Sequence, residues 1–199
     1  MYNKDLEKEI EFIIELDKMK SIFRQTSLVD KSRRENDAEH SWHIAVMTML
    51  LSKYANEDIN ECKVIKMLLV HDLVEIYAGD TFCYDEIGNL DKKEREKVAA
   101  DKLFSMLPEK EGKEISELWE EFEEMETKDA LFAASMDRLQ PMLQNYYSGG
   151  GTWRKFNISK GQVYERISPI KKSSKELWEY VENMLDDALE KGFMSGEEK

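Results

Sequence analysis

Proline, glycine, cysteine and histidine are all sparse in this chain: 199 residues contain three prolines, nine glycines, two cysteines and three histidines. So little proline and glycine leaves long uninterrupted segments, and no Pro/Gly/Ser-rich linker divides them, so a single domain over residues 1–199 is expected. Cys62 and Cys83 form neither a CxxC pair nor a disulfide framework, which points to a reducing cytoplasm. No apolar run approaches the roughly 18 residues of a spanning helix, and Met1 to Glu7 lack the apolar core of a signal peptide, so no membrane partner is expected. Basic charge is also short. Lysine and arginine number 29 against 42 acids, a net charge of -13 that repels nucleic acid and anionic membranes. The exception is residues 20–34, where Lys20, Arg24, Lys31, Arg33 and Arg34 face one acid, Asp30, and could form a pocket for a small anion or an ordinary solvated face.

Helical periodicity is what the chain has in abundance, and it predicts a nearly all-α fold. Leu6, Ile10, Ile13 and Ile14 form one stripe of a helix running to about Met19. Asn36, with Glu39 three residues on, resembles a capping box and starts a second helix whose first turn holds His40. A third helix is expected over about 60–77, setting Val64, Leu68, His71 and Glu75 on one face before Gly79 ends it. Two amphipathic helices follow at about 89–107 and 111–125. Thr127 caps another helix, which Pro141 should kink or end. Gly149, Gly150 and Gly151 mark a flexible loop, and a last helix covers about 173–191.

The three histidines all fall between residues 40 and 71: His40 and His43 beside Glu39, and His71 beside Asp72. Imidazoles clustered with carboxylates suit a metal site. Further along, Asp137 shares a helix face with Ala130 and Ala134, where a buried carboxylate needs a metal or a base, and Arg138 or Arg34 could serve as that base.

Taken together, His40, His71-Asp72 and Asp137 give the order H…HD…D, and this resembles the HD-domain metal-dependent phosphohydrolases. Residues 33–41 (RRENDAEHS) and 71–80 (HDLVEIYAGD) are similar to the bacterial 5′-deoxynucleotidase branch of that superfamily, and the likeness covers about residues 20–147. The resemblance implies a helical bundle with one central divalent cation (Mn, Co, Fe, Ni, Zn or Mg) held by His40, His71, Asp72 and Asp137. It implies a cytoplasmic homodimer that hydrolyses (deoxy)nucleoside 5′-monophosphates with a metal-activated water. Glu75 and Asp80 are then the acids that act on water and leaving group, and Arg24 reaches the substrate phosphate. Arg33 and Arg34 could hold the site's carboxylates, while His43 is structural. The branch has a tryptophan after this arginine, against the sugar, where this chain has Gln25-Thr26, so deoxyribose selection does not follow. Hydrolysis of nucleoside triphosphates or guanosine tetraphosphate, or a non-catalytic binding module, are the alternatives that the same ligands allow.

Overall fold

A computed structural model describes residues 3–196, so Met1, Tyr2 and residues 197–199 of the expected 1–199 span lie outside the described residues. Asn3 caps α1 (Lys4–Glu15), which passes into a 3-10 turn, Leu16–Ser21, before a short antiparallel pair, β1 (Phe23–Ser27) and β2 (Arg34–Asn36). The periodicity gave no sign of these strands. They are fastened by Arg34, whose guanidinium donates to the backbone carbonyls of Phe23 and Arg24.

The capping box is present as the spacing predicts: Asn36 Oδ1 accepts from Glu39 N at 2.9 Å, and the Glu39 carboxylate accepts from Asn36 N at 3.2 Å. It starts α2 (Asp37–Leu51). The expected single helix over 60–77 is two: α3 (Glu61–Val70) and one turn, α4 (Glu75–Ala78). Between them the chain tightens, with Leu73 N donating to Val70 O and Glu75 N to Asp72 O, so the His71-Asp72 pair sits at a break rather than inside a helix. Both acidic-region helices are found, as α5 (Lys92–Phe104) and α6 (Glu109–Glu124).

Thr127 caps α7 (Lys128–Tyr147), and Pro141 neither ends nor shortens it. Proline has no N–H to give the Asp137 carbonyl four residues back. Burial compensates: Ala130, Ala133, Ala134, Met136, Leu139, Gln140 and Met142 are all enclosed, and α2, α3 and α10 (Ser168–Ser173) pack along the helix. Small side chains admit these neighbours closely. The triple glycine is not a loose loop. Gly150, at φ +108, donates its N–H to Asn145 O at 2.8 Å, and Asn145 Oδ1 accepts from Thr152 N at 2.7 Å, pinning a turn into α8 (Gly151–Lys155). α9 (Lys160–Arg166) and α10 were not predicted. α11 (Lys175–Glu190), capped by Ser174, closes the chain close to the expected 173–191.

The larger apolar cluster surrounds α7 and joins Ile44, Met67, Leu68, Phe132, Trp153, Ile170 and Leu185. A second, built from Phe12, Met19, Val70, Leu73, Leu103 and Trp119, packs the N-terminal segment onto α3, α5 and α6. On α1 the expected stripe faces outward: Leu6, Ile10, Ile13 and Ile14 are exposed, and Phe12 makes the inward contact. No helix among the described residues is long and apolar enough to cross a membrane.

Core and stripe should therefore respond differently to truncation. Phe132→Ala is expected to lower the unfolding free energy by about 3–5 kcal/mol, the cost of a buried aromatic cavity. Ile14→Ala, at a position 68% exposed, should change it by no more than about 0.5 kcal/mol. Urea denaturation of both variants checks this.

Candidate metal centre

The first turn of α2 and the end of α3 meet over α7, setting the His40 and His71 rings 5.5 Å apart between centroids. Both rings are buried. His40 Nδ1–H donates to Gln140 Oε1 at 2.9 Å, and Gln140 Nε2 donates onward to Glu35 Oε1 at 2.7 Å, which fixes the amide orientation and so the imidazole tautomer. His71 Nδ1–H donates to the Leu68 carbonyl at 2.8 Å. Each ring thus spends Nδ1 on the scaffold and turns Nε2 to the same point.

Two carboxylates occupy that point. Asp137 Oδ1 lies 3.1 Å from His40 Nε2 and 3.8 Å from His71 Nε2. Asp72 Oδ2 lies 3.1 Å from His71 Nε2 and 3.9 Å from His40 Nε2. Ligand atoms of His40, His71 and Asp72 fall within 4.8 Å of one another, so the four side chains expected as ligands are brought together. The donor set fits a divalent cation: two nitrogens and two carboxylates balance its charge, and the buried His71 Nε2 faces only those carboxylates, with no hydrogen-bond partner on the scaffold.

Electrostatics follow from crowding. Burial opposes a charge on His71, but Asp72 and Asp137 beside it lift its pKa to about 10. Burial likewise resists ionisation of Asp72, yet His71, Arg24 and His40 hold its carboxyl well below the usual range. Asp137 is held low against burial by its contacts with His40, His71 and Arg166. His40 goes the other way, lowered by burial and by Arg24.

Arg24, on β1, points its guanidinium into this cluster, with Nη1 2.8 Å from Asp72 Oδ2 and 3.6 Å from Asp37 Oδ1. Glu75 and Asp80 line the same cavity, of 290 Å³, beside His71, Asp72 and Asp137. A residue not singled out from sequence joins them: Asp37, Glu75 and Asp80 also offer ligand atoms within 4.8 Å of one another. Both Asp37 oxygens and Glu75 Oε2 are buried without hydrogen-bond partners. Burial, with Asp72 nearby, pushes Asp37 up to about 7, and burial with the charges of Asp72 and Asp37 pushes Glu75 far above the carboxylate range. Asp37 precedes His40 by three positions, so helical spacing alone could have found it.

Other residues fall elsewhere. Arg33 pairs with Glu39 and Arg34 grips β1, so neither holds a site carboxylate. The cation beside Asp137 is Arg166, with Nη2 at 3.4 Å from Oδ2, in place of the Arg138 or Arg34 that sequence offered. Arg138 instead donates to the Ala134 carbonyl. His43 reaches the centre only through Gln140, whose Nε2 lies 3.2 Å from its Nδ1. Gln140 stands three residues after Asp137 and is legible by spacing, whereas Arg166 lies in an unpredicted helix and carried no signal.

Known proteins resemble this chain over part or most of its length. The chain is 36% identical over 117 residues to 5′-deoxynucleotidase HDDC2 of Dictyostelium discoideum, covering 56% of this chain and 62% of that protein. It is 33% identical over 112 residues to the Homo sapiens HDDC2, covering 56% and 53%. The matched stretch therefore spans little more than half the length of these curated relatives. A solved structure described as a predicted metal-dependent phosphohydrolase from Magnetospirillum magnetotacticum MS-1 superposes with a TM-score of 0.92 at 47% identity, covering 97% of this chain and 100% of that one. The PH0347 protein from Pyrococcus horikoshii OT3 gives a TM-score of 0.64 at 26% identity, covering 90% and 97%. A family model described as HD domain matches residues 16–178, the span that carries both histidines and both aspartates of the cluster, and this chain belongs to that family.

Proposed function

We propose that this protein is a metal-dependent 5′-nucleotidase that releases phosphate from (deoxy)nucleoside 5′-monophosphates. The observation that carries this reading is the convergence of His40 Nε2, His71 Nε2, Asp72 and Asp137 beside a cavity lined by the last three together with Arg24, Glu75 and Asp80. The first four would hold one divalent cation. When bound, that ion supplies Lewis acidity toward a phosphoryl oxygen and lowers the pKa of a coordinated water toward neutrality. The names of the relatives, 5′-deoxynucleotidase and metal-dependent phosphohydrolase, support the substrate class. Free Cys62 and Cys83 agree with a reducing cytoplasm, and the exposed face of α1 with a homodimer.

The chain's own groups divide the remaining work. Two ligand carboxylates neutralise a dication and leave none of its charge for a phosphate, so Arg24 binds the phosphate oxygens; its guanidinium keeps its charge among Asp72, Glu75 and Asp137. Glu75, whose pKa is pushed well above the carboxylate range by burial and by the charges of Asp72 and Asp37, is the group placed to deliver a proton to the departing 5′ oxygen. Asp80, whose carboxylate lies within 4.8 Å of those of Asp37 and Glu75, is then the group that orients the attacking water.

Four outcomes test this reading. Protein stripped of metal and reloaded with Mn, Co, Fe, Ni, Zn or Mg should release phosphate from nucleoside monophosphates in preference to di- and triphosphates. His71→Ala and Asp72→Ala should each lower kcat/KM about a hundred-fold or more, and full activity in metal-defined samples of these variants would refute the ligand assignment. Gln140→Leu, which leaves His40 Nδ1–H without its acceptor, should weaken cation affinity about 10–100-fold in a chelator competition. Because His71 holds its proton up to about pH 10 in the cation-free protein, uptake at neutral pH must release that proton. Apparent affinity should then rise by about tenfold per pH unit between pH 6 and 8, read by calorimetry in buffers of differing ionisation heat.

A further inference from the structure

The cavity at the metal centre opens into a second, larger groove of 870 Å³, and the two share Gln25, Phe82, Cys83, Tyr84, Asn89 and Arg166. One wall of this groove is aromatic. The Phe82 ring centroid lies 5.3 Å from Tyr84 and 4.8 Å from Phe156, and Phe156 leaves 37% of its surface open. Asn89 steadies the loop behind Phe82, its Nδ2 donating to the carbonyls of Phe82 at 3.1 Å and Asp85 at 2.7 Å. Polar side chains also line the groove: Gln162, Glu165, Asp85 and Glu86.

This combination selects a ligand chemistry. An acyl chain would desolvate the carboxylates and amides of the groove. A second phosphate would meet Asp85, Glu86 and Glu165. A flat heteroaromatic ring satisfies both kinds of lining, since its faces stack on phenyl rings while its edge offers donors and acceptors to the polar side chains. At the seam, Arg166 stands 3.4 Å from Asp137, so a molecule crossing it passes from the aromatic wall directly to the metal ligands.

We infer that the groove walled by Phe82, Tyr84 and Phe156 is the base subsite: the nucleobase stacks there while its 5′-phosphate lies at the His40, His71, Asp72 and Asp137 centre. The inference rests on the phosphomonoesterase reading for the position of the phosphate. It makes the base a source of affinity through stacking, so purine and pyrimidine nucleotides both fit.

The test compares a substrate that has a base with one that lacks it. Metal-loaded wild type, Phe156→Leu, Phe82→Leu and Phe156→Trp are assayed on deoxyadenosine 5′-monophosphate and on 2-deoxyribose 5-phosphate. Leucine keeps apolar bulk without an aromatic face, and thermal unfolding checks that each variant is folded. Both leucine variants should lose about tenfold or more in kcat/KM on the nucleotide, the size of one base–aromatic stack, with the sugar phosphate unchanged and Phe156→Trp restored. Equal losses on both substrates, or no loss on the nucleotide, would overturn the subsite. If wild type releases phosphate from neither compound, the phosphomonoesterase reading fails on its own. Calorimetric binding of the nucleotide then decides the subsite, with weakening in Phe156→Leu supporting it and unchanged binding refuting it.

Discussion

Carboxylates crowded around the Arg24 guanidinium are the constraint on which this structure turns. Asp72, Asp37 and Glu35 lie 2.8, 3.6 and 4.0 Å from its nitrogens, and all three are largely enclosed. Buried like charges are unfavourable unless compensated, and the compensation here is divided. Arg24 serves Asp72, protonated His71 serves Asp72 and Asp137, Gln140 and Gln144 donate to Glu35, and burial among like charges pushes the pKa values of Asp37 and Glu75 upward. The short β1–β2 pair is intelligible in this light. It is the device that carries Arg24 into a helical bundle, and Arg34 grips it from the side by its carbonyls.

Much of this was legible because helical chemistry is local. The capping box at Asn36 and Glu39 predicts where α2 starts, and with it the depth at which His40 enters the core. The alanines of α7 announce a close-packed helix, and Asp137 among them announces a buried acid in need of a partner. The four residues expected as ligands were named through their resemblance to a family pattern, and the fold brings their side chains together.

What escaped notice depends on contacts between distant segments. Periodicity is continuous from α3 into α4, so nothing along the chain marks the break at His71-Asp72; it accompanies a ring nitrogen bonding back to Leu68 and side chains drawn toward α7. Pro141 reads as a kink or an end because a local rule ignores the burial around α7, which continues past it to Tyr147. The outward turn of the α1 stripe was invisible for the opposite reason. Its spacing is that of a buried face, and only the assembled bundle shows that Phe12, rather than Ile13 or Ile14, meets the core.

That stripe also has a colloidal meaning. Leu6, Ile10, Ile13 and Ile14 offer an adhesive patch on a chain whose net charge of -13 drives copies apart. The two tendencies act over different ranges. Apolar adhesion needs contact, whereas the repulsion reaches about 8 Å at physiological ionic strength and about 30 Å in dilute buffer. Salt therefore acts as the gatekeeper of this surface, opening it to neighbours as the ionic atmosphere contracts.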